Sequence, residues 1–334
     1  MMKITPGKLS KPGILWGLSA VILLCAGLWY SHTMHGCRNV SCLLVSGSQF
    51  SKKFDARVPL FMEWNSSKPL LDAMPDSKDN PKIKHMLDVL TQNTQRLRQM
   101  APALPTCAVV GNSQNLLGSN YGGQIDGHNY VFRMNSAPTY PYEPDVGNRT
   151  THHIFSHYYS PNIVNGEIRI RTYSPDTFNI VIPLHSDLTV PFSVTYQKKD
   201  YSAFGNYFMN LAEALSYEGK DMPPLTRDNM TQVRDLSNLL TFSPDFLWYA
   251  NAVWFTPADK KKTDIASTGF MTIILALHLC DQVDLFGFGA NRDGEWGQYF
   301  SERKDKPARH HPGYQEDFLN SLQDNHIVRV FKGK

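Results

Sequence analysis

The chain has 334 residues and a nearly balanced charge, with 33 Lys and Arg against 30 Asp and Glu and a formal net charge of +3. This balance excludes the strongly basic surface of a typical nucleic-acid-binding protein. Hydrophobic residues make up 42% of the chain and aromatic residues 12%, which is ample for a substantial core in one large domain or two small ones.

The N-terminal segment predicts a membrane anchor. Lys3, Lys8 and Lys11 precede the uncharged stretch Gly13–Tyr30, which as a helix spans roughly 27 Å, enough for a thin bilayer. Basic residues before the span and few directly after it place the N-terminus in the cytosol. We expect a single-pass type II membrane protein of the early secretory pathway, with a cytoplasmic tail at 1–12, a signal-anchor helix at 13–30, a lumenal stem at 31–50 and a lumenal domain at 51–334.

The cysteines and glycosylation sequons agree with a lumenal location. Cys37 and Cys42 are close enough to close a small loop, and Cys107 and Cys280 then remain to pair with each other. The chain contains no Cys-x-x-Cys pair, so a zinc site is not predicted. Asn-x-Ser/Thr sequons, which mark surface sites for N-glycosylation, occur at Asn39, Asn65, Asn148 and Asn229.

The first elements of the lumenal domain are predicted from prolines and apolar spacing. Four prolines in the segment from Phe54 to Pro81, Pro81 included, favour irregular structure. Pro81 then begins a helix that ends before Ala101 and Pro102. Its apolar residues recur at the spacing of one helix face, at Ile83, Met86, Leu87, Leu90 and Leu97.

Two short apolar runs, Cys107–Val110 and Tyr130–Met134, predict buried parallel strands. Each run is followed closely by an asparagine, Asn112 or Asn135. Because the carboxyl ends of parallel strands meet at one edge of a sheet, the two side chains indicate a binding site for a polar ligand. The alternative is that both asparagines are ordinary turn residues.

The middle of the chain has a less regular pattern. Residues 154–177 are expected to be loop, and the next strand is expected at Asn179–Leu184, ending at Pro183. A helix is predicted at about 201–217. Ser243 and Pro244 begin an aromatic helix that reaches Trp254.

The segment Ser267–Gly289 predicts a helix followed by a strand. Ser267 or Thr268 caps a helix that is apolar through Cys280, and a buried strand at 283–286 ends at Gly287. A start of two hydroxyl residues and a glycine directs backbone N–H groups toward an anion. The alternative is an ordinary capped core helix.

These segments resemble the motifs of the animal-type sialyltransferases, glycosyltransferase family 29. Cys107 to about His153 is similar to the family's long motif, and Ser267–Gly289 is similar to its short motif. His311-Pro-Gly-Tyr-Gln-Glu316 resembles the terminal His-x4-Glu motif. The resemblance covers residues 37 to 334 and is closest to the β-galactoside α-2,3-sialyltransferases that act on Galβ1-3GalNAc.

The resemblance implies a fold, a reaction and a location. The fold is a single α/β Rossmann-like domain with a mostly parallel sheet, in a GT-A-like variant. The reaction transfers sialic acid from CMP-sialic acid to the 3-hydroxyl of a terminal galactose on O-glycans or glycolipids. It is an inverting displacement that needs no metal and no cofactor. The implied location is the Golgi membrane, with galactose-terminated glycoproteins or glycolipids and no nucleic acid as partners.

The same resemblance assigns roles to individual residues. His311 is the general base, since an imidazole with a reference pKa of about 6.5 suits proton removal at lumenal pH. Glu316 and Tyr299 are supporting residues, and the disulfide joins Cys107 to Cys280. The donor is bound by residues of both motifs and of the loop that follows them: Asn112, Asn135, Ser267, Thr268, Gly269, Trp296 and Gln298.

Three departures from the family pattern leave alternatives open. Gln298 stands where the family has a phosphate-binding histidine, Ile265 stands where this group often has an aromatic residue, and Leu104 and Asn39 replace a further cystine of the related group. The alternatives are a catalytically weak Golgi sugar-nucleotide-binding homologue and a sialyltransferase with a different galactoside acceptor. A Rossmann dehydrogenase is excluded because Gly287-Phe-Gly-Ala-Asn-Arg292 lacks the third glycine.

Overall fold

The computed structural model describes residues 50–73, 79–156, 176–182, 238–261, 264–302 and 310–333. Their strands are β1 Thr106–Val110, β2 Tyr130–Met134, β3 His152–Ser156, β4 Phe178–Ile182, β5 Leu239–Thr241, β6 Gln282–Phe286 and β7 Val328–Phe331. All of them pair in parallel in one seven-stranded sheet of order β5-β4-β3-β2-β1-β6-β7. The predicted α/β domain with a parallel sheet is confirmed.

Helices of very different length connect the strands. The α-helices are α1 Trp64–Ala73, α2 Pro81–Met100, α3 Gly122–Asp126, α4 Glu143–Val146, α5 Pro244–Trp248, α6 Thr268–Leu279 and α7 Pro312–Asp324. A 3-10 turn at Gln114–Leu116 follows β1, and a π-helical segment at Tyr249–Trp254 continues α5. The predicted helices at 81–100 and from Ser267 are confirmed, and Ser267 rather than Thr268 is the N-cap of α6.

Several predictions concern residues outside the described part of the chain. These are the membrane span Gly13–Tyr30, the Cys37–Cys42 bridge, the sequons at Asn39 and Asn229 and the helix at 201–217. Within the described residues, no helix combines the length and apolar character needed to cross a bilayer. Phe50, at the predicted boundary between stem and domain, is buried against Trp254 and Phe318.

Both faces of the sheet are buried, which explains why its strands are continuously apolar. Along β1, Cys107 and Val109 join the larger core cluster with α6, and Ala108 and Val110 join a second cluster on the opposite face. Successive side chains of a strand point to opposite faces. A strand covered on both sides therefore needs an apolar residue at nearly every position.

The strand order reverses at β1, which makes the carboxyl ends of β1 and β6 the reversal point of the sheet. The chain runs outward from β1 to β5 on one side and then returns to build β6 and β7 on the other. The loops that follow β1 and β6 are in close contact, because Gly111 N donates to Phe286 O at 2.7 Å. A Cβ on Gly111 would lie 2.1 Å from Gly287 O, so only glycine fits. Ligands of open α/β sheets bind at such a reversal point.

The disulfide Cys107–Cys280 is present, as predicted, with Cα atoms 6.1 Å apart. Cys107 lies near the start of β1, and Cys280 is the C-cap of α6. The bond closes a loop with a sequence separation of 173 residues. It therefore ties the first strand to the helix that packs on the face of the sheet.

The expectation of irregular structure between Phe54 and Pro81 is wrong, because α1 occupies Trp64–Ala73. Ser66 Oγ accepts the N–H of Glu63 at 2.8 Å and so satisfies a backbone donor at the start of the helix. Trp64 Nε1 also donates to Asp88 of α2 at 2.8 Å. Capping and packing on α2 outweigh the local proline signal.

Two further boundaries differ from the predictions. The expected loop at 154–177 begins too early, because its first residues belong to β3, a strand that was not predicted and that pairs with β2 and β4 on its two sides. The predicted helix from Pro244 to Trp254 is α-helical only as far as Trp248. Lys260 Nζ donates to the carbonyl oxygens of Asn251 and Phe255, and so caps the wider π turn.

A charged cluster lies in the interior between β6, β7 and α3. Asp284 is fully buried and accepts hydrogen bonds from His128 Nε2 at 2.9 Å and Arg329 Nε at 2.6 Å. Burial raises the pKa of the Asp284 carboxyl, but the hydrogen bonds from His128 and Arg329 outweigh burial and hold it below its ordinary value. Asp284 is therefore a buried carboxylate with a cationic partner.

Candidate functional site

The loop after β1 places Asn112 at this reversal point. Asn112 O accepts the N–H of Tyr299 at 3.0 Å, which fixes the backbone. The side-chain Oδ1 of Asn112 is buried and has no hydrogen-bond partner within the described residues. A buried acceptor of this kind costs free energy unless a ligand or water supplies a donor. Asn112 is therefore poised to accept a hydrogen bond from a ligand.

Asn135 follows β2 at the same edge of the sheet. Its backbone is left-handed, with a φ of 54°, a conformation that asparagine tolerates better than most residues. Its N–H donates to Ile154 O at 2.8 Å, and its carbonyl oxygen accepts Nε2–H of His153 at 2.7 Å. Asn135 is thus a turn residue, as one interpretation of the sequence expected, and it also lies at the predicted edge.

The start of α6 lies beside these strand ends. Ser267 Oγ accepts the N–H of Phe270 at 3.1 Å and caps the helix. A Cβ on Gly269 would lie 3.0 Å from the ring of Phe288 and 3.5 Å from Met134 Sδ. Gly269 is therefore in contact with the residues that follow β6 and end β2. The N–H groups of the first helical turn and the helix dipole favour an anion at this position.

The segment 295–301 covers the loop after β1. Ser113 and Gln298 form an antiparallel bridge, and Gln114 N donates to Gly297 O at 2.9 Å. Tyr299 is buried, and its hydroxyl donates to Pro138 O, beyond β2, at 2.6 Å. The structure thus brings Gln298 and Tyr299 against the loop after β1, and Trp296 of the same segment is half-buried. Tyr299 thus links this segment to the loop after β2, and its supporting role in the reaction stays a prediction.

His311 is the N-cap of α7 and lies against the segment that precedes α6. Its Nε2 is 2.6 Å from Asp264 Oδ2. The neighbouring His310 places Nδ1 2.8 Å from the carbonyl oxygen of Ile265. Ser267 Oγ is 2.5 Å from Gln315 Oε1. These three contacts attach the start of α7 to the start of α6, so that His311 and the predicted anion site belong to one region.

Asp264 is the buried carboxylate of this region. Its pKa is held below its ordinary value, first by the hydrogen bond with His311 and then by the N–H of Lys261. Asp264 and Gln315 were not identified from the sequence. Neither residue belongs to a periodic pattern, because Asp264 is a single aspartate in a polar loop and Gln315 is a glutamine beside a motif residue. Only the packing of the two helix starts reveals them.

Glu316 and the sequons lie at the surface. Glu316 is exposed on α7, and the contact that anchors this segment comes from its neighbour Gln315. The supporting role of Glu316 stays a prediction. Asn65 and Asn148 are exposed, as an N-glycosylation site requires. Among the described residues, no group of three or more His, Cys, Asp or Glu side chains is arranged to hold a metal ion.

The sequence comparisons match this chain to one family. The sequence model of glycosyltransferase family 29 (sialyltransferase) matches residues 52–327. CMP-N-acetylneuraminate-beta-galactosamide-alpha-2,3-sialyltransferase 1 of Mus musculus is 30% identical over 68% of this chain and 59% of its own length. The Sus scrofa protein of the same name is 30% identical over 76% and 66%, respectively. The matched region thus spans about three fifths to two thirds of these relatives.

Solved structures give the same fold. A crystal structure of a mammalian sialyltransferase in complex with Gal-beta-1-3GalNAc-ortho-nitrophenol superposes with a TM-score of 0.54 at 24% identity, covering 86% of this chain and 97% of that one. A second crystal structure of a mammalian sialyltransferase gives a TM-score of 0.55 at 23% identity, covering 90% and 98%. At this level of identity the likeness establishes the shared architecture.

Proposed function

The chain belongs to glycosyltransferase family 29, the sialyltransferases, and on this basis we propose that it is an α-2,3-sialyltransferase. It transfers sialic acid from CMP-sialic acid to the 3-hydroxyl of a terminal galactose. The observation that carries this proposal is the convergence of three features on one sheet edge. They are the unpartnered buried Oδ1 of Asn112, the start of α6 and the attached His311.

The chemistry of CMP-sialic acid suits these features. The nucleoside offers N–H and O–H donors for the buried Oδ1 of Asn112. The phosphate and the sialic acid carboxylate are anions, which the helix start at Ser267, Thr268 and Gly269 favours. Asn135, Trp296 and Gln298 complete the proposed donor site. The fold is proposed to be the GT-A-like variant of the Rossmann architecture.

The reaction we propose is a single displacement with inversion at the anomeric carbon. The galactose O3 electron pair forms the new bond to that carbon. The bond to the phosphate oxygen breaks, and CMP leaves with its electron pair. His311 accepts the proton of the O3 hydroxyl, since imidazole is the side chain most often used as a general base. CMP leaves as a monophosphate, with less charge to neutralise than a diphosphate, so the proposal includes no metal and no cofactor.

Galβ1-3GalNAc is the proposed acceptor, carried by O-glycans or glycolipids. Two observations support it. The similar proteins of Mus musculus and Sus scrofa are named beta-galactosamide-alpha-2,3-sialyltransferases. The mammalian sialyltransferase of similar fold was crystallised with a Gal-beta-1-3GalNAc derivative.

A catalytically weak homologue that binds the sugar nucleotide is the second candidate function, and Gln298 is the observation that favours it. Gln298 Oε1 accepts the hydroxyl of Ser301 at 2.9 Å, so its amide is already oriented within the loop. An amide donates a neutral hydrogen bond and cannot provide the positive charge that a leaving phosphate favours.

One assay separates the two functions. The full chain is incubated with labelled CMP-sialic acid and a panel of core-1, type 1 and type 2 disaccharides, and CMP binding is measured by calorimetry in parallel. Transfer to the 3-hydroxyl of the core-1 galactose is expected. CMP binding without transfer to any disaccharide would overturn the enzyme proposal in favour of the homologue. Transfer to another disaccharide alone would replace the proposed acceptor.

We also propose that the chain is a type II protein of the Golgi membrane, anchored by the predicted helix Gly13–Tyr30. The Cys107–Cys280 disulfide supports an oxidising compartment, since cytosolic proteins rarely retain such bonds. Tagged protein in sealed vesicles is expected to resist protease at its C-terminus and to co-localise with a Golgi marker. Digestion of that C-terminal tag in intact vesicles would contradict this topology.

A further inference from the structure

The imidazole of His311 lies between two carboxylates, one buried and one exposed. Nε2 is 2.6 Å from Asp264 Oδ2, and Nδ1 is 3.4 Å from Asp259 Oδ1. The Asp264 side chain is only 7% exposed, whereas the Asp259 side chain is 84% exposed. The short, buried contact at Nε2 has a fixed geometry. The longer contact at Nδ1 is open to solvent and is worth little.

The Asp264 contact determines which nitrogen of His311 carries hydrogen. An ionised carboxylate only accepts hydrogen bonds, so Nε2 must be the N–H of the neutral ring. The lone pair is then on Nδ1. Asp264 remains ionised at lumenal pH, because its hydrogen bonds with His311 and the Lys261 N–H hold its pKa below the ordinary value. The oxygen that binds Nε2 is thus itself held in place by the backbone.

The location of His311 makes this carboxylate necessary. His311 is the N-cap of the thirteen-residue helix α7, whose positive end opposes a protonated ring. The first turn of α7 contains no acidic residue. Lys260 Nζ binds the Asn251 and Phe255 carbonyls, and its charge interacts with the Asp264 carboxylate. Phe255 contributes only a ring edge, with centroids 5.8 Å apart.

We propose that Asp264 is the positioning residue for the transfer reaction, and that Nδ1 of His311 is the atom that accepts the proton. This inference rests on the proposed function. Asp264 holds Nε2–H and leaves the lone pair on Nδ1, the nitrogen on the side of the exposed Asp259, free to receive the proton of the acceptor hydroxyl. As the O3 electron pair bonds to the anomeric carbon and CMP departs with its bonding pair, the proton passes to Nδ1. Asp264 then stabilises the imidazolium against the helix dipole.

The kinetic test compares Asp264→Asn with Asp259→Asn, which removes the exposed carboxylate beside the same ring. Asp264→Asn is expected to lower kcat by about 10- to 100-fold with acceptor KM nearly unchanged. The acidic limb of its kcat/KM profile moves to lower pH, since a charge that stabilises the protonated ring is lost. Asp259→Asn is expected to change kcat by less than about threefold. Asp264→Glu, which keeps the charge, restores the position of the acidic limb. Equal effects of the two Asn variants would overturn the proposal.

A double-mutant cycle separates positioning from general stabilisation. In a His311→Ala background, Asp264→Asn is expected to cause no further loss of kcat, because the group through which it acts is already absent. If the kcat losses of His311→Ala and Asp264→Asn multiply in the double variant, Asp264 has only a structural role and the proposal is overturned. Calorimetric CMP binding by each variant checks that the donor site is folded.

The ring nitrogens give a measurement that does not depend on transfer activity. The ¹⁵N-labelled full chain is expected to show His311 with hydrogen on Nε2. The ring-nitrogen signals of His311 are assigned as those that disappear in His311→Ala. In Asp264→Asn, the tautomer of His311 with hydrogen on Nδ1 should also be populated. Hydrogen on Nδ1 in the wild type would overturn the inference even if the protein is active. A protein without transfer activity that retains the Nε2–H tautomer would overturn only the proposed function.

Discussion

Ser267 Oγ donates a hydrogen bond to Gln315 Oε1 at 2.5 Å while it accepts the N–H of Phe270 at 3.1 Å. One hydroxyl therefore caps α6 and attaches α7 to it. Gln315 Nε2 also donates to the carbonyl oxygen of His310. The amide of Gln315 thus connects the proposed anion site to the segment that carries the proposed base.

Replacement of this amide is expected to impair the reaction rather than the fold. Gln315→Ala removes both contacts, so we expect kcat to fall by roughly 10- to 100-fold, since misplacing a catalytic group by about 1 Å has effects of this size. Turnover at saturating donor and acceptor is the measurement. Asn320→Ala, an exposed amide on the same helix, is the matched control. If both variants turn over at the same rate, the Ser267–Gln315 contact is not functional.

Loss of the imidazole is expected to abolish most of the turnover. His311→Ala should lower kcat by roughly 10²- to 10⁴-fold, the usual contribution of a general base. CMP affinity should change little, because the ring contacts Asp264 and not the strand ends. Single-turnover transfer and calorimetry measure the two quantities. Near-normal turnover of His311→Ala would remove His311 from the role of base.

The amide at position 298 is expected to limit the departure of CMP. Gln298→His supplies a ring that can become a cation beside the leaving phosphate, so turnover should rise. The increase should be larger at pH 6 than at pH 8, where an ordinary imidazole is neutral. Ser301→Ala, which removes the hydroxyl that binds Gln298 Oε1, is the control for disturbing the loop. Lower turnover of Gln298→His would indicate a loop built around the amide.

The buried Asp284 cluster is expected to contribute to stability in a pH-dependent manner. Asp284→Asn leaves Arg329 and His128 without their carboxylate, at a cost of about 3 kcal/mol at pH 7. Because the pKa of Asp284 is below its ordinary value in the folded protein, its contribution is present above about pH 4 and disappears as the pH falls through the folded pKa. Urea unfolding at pH 7 and at lower pH should show a weaker acid dependence in Asp284→Asn.

The control for Asp284 is an arginine–carboxylate ion pair whose arginine is exposed. Arg98 donates to Glu63 but is 63% exposed, so Arg98→Ala is expected to cost no more than about 1 kcal/mol. Equal destabilisation by Asp284→Asn and Arg98→Ala would show that the buried cluster contributes no more than a surface pair.

Much of the fold could be predicted because its signals are local. The apolar spacing from Ile83 to Leu97 gave α2, and the continuous apolar runs gave β1, β2 and β6 within one residue of their boundaries. Strands without such clear runs, β3, β5 and β7, were not identified. They are held by pairing with their neighbours in the sheet, and this pairing does not depend on a pattern within the strand.

The sequence by itself determined the family, the parallel sheet, the Cys107–Cys280 bond and the candidate residues at the strand ends. Only the tertiary structure decided the partners of those residues. Asp264 meets His311 across 47 positions, and Ser267 meets Gln315 across 48. Periodicity reports how a segment folds within itself, whereas these contacts depend on where two helix starts pack against each other. The orientation of His311 is therefore a property of the packed fold.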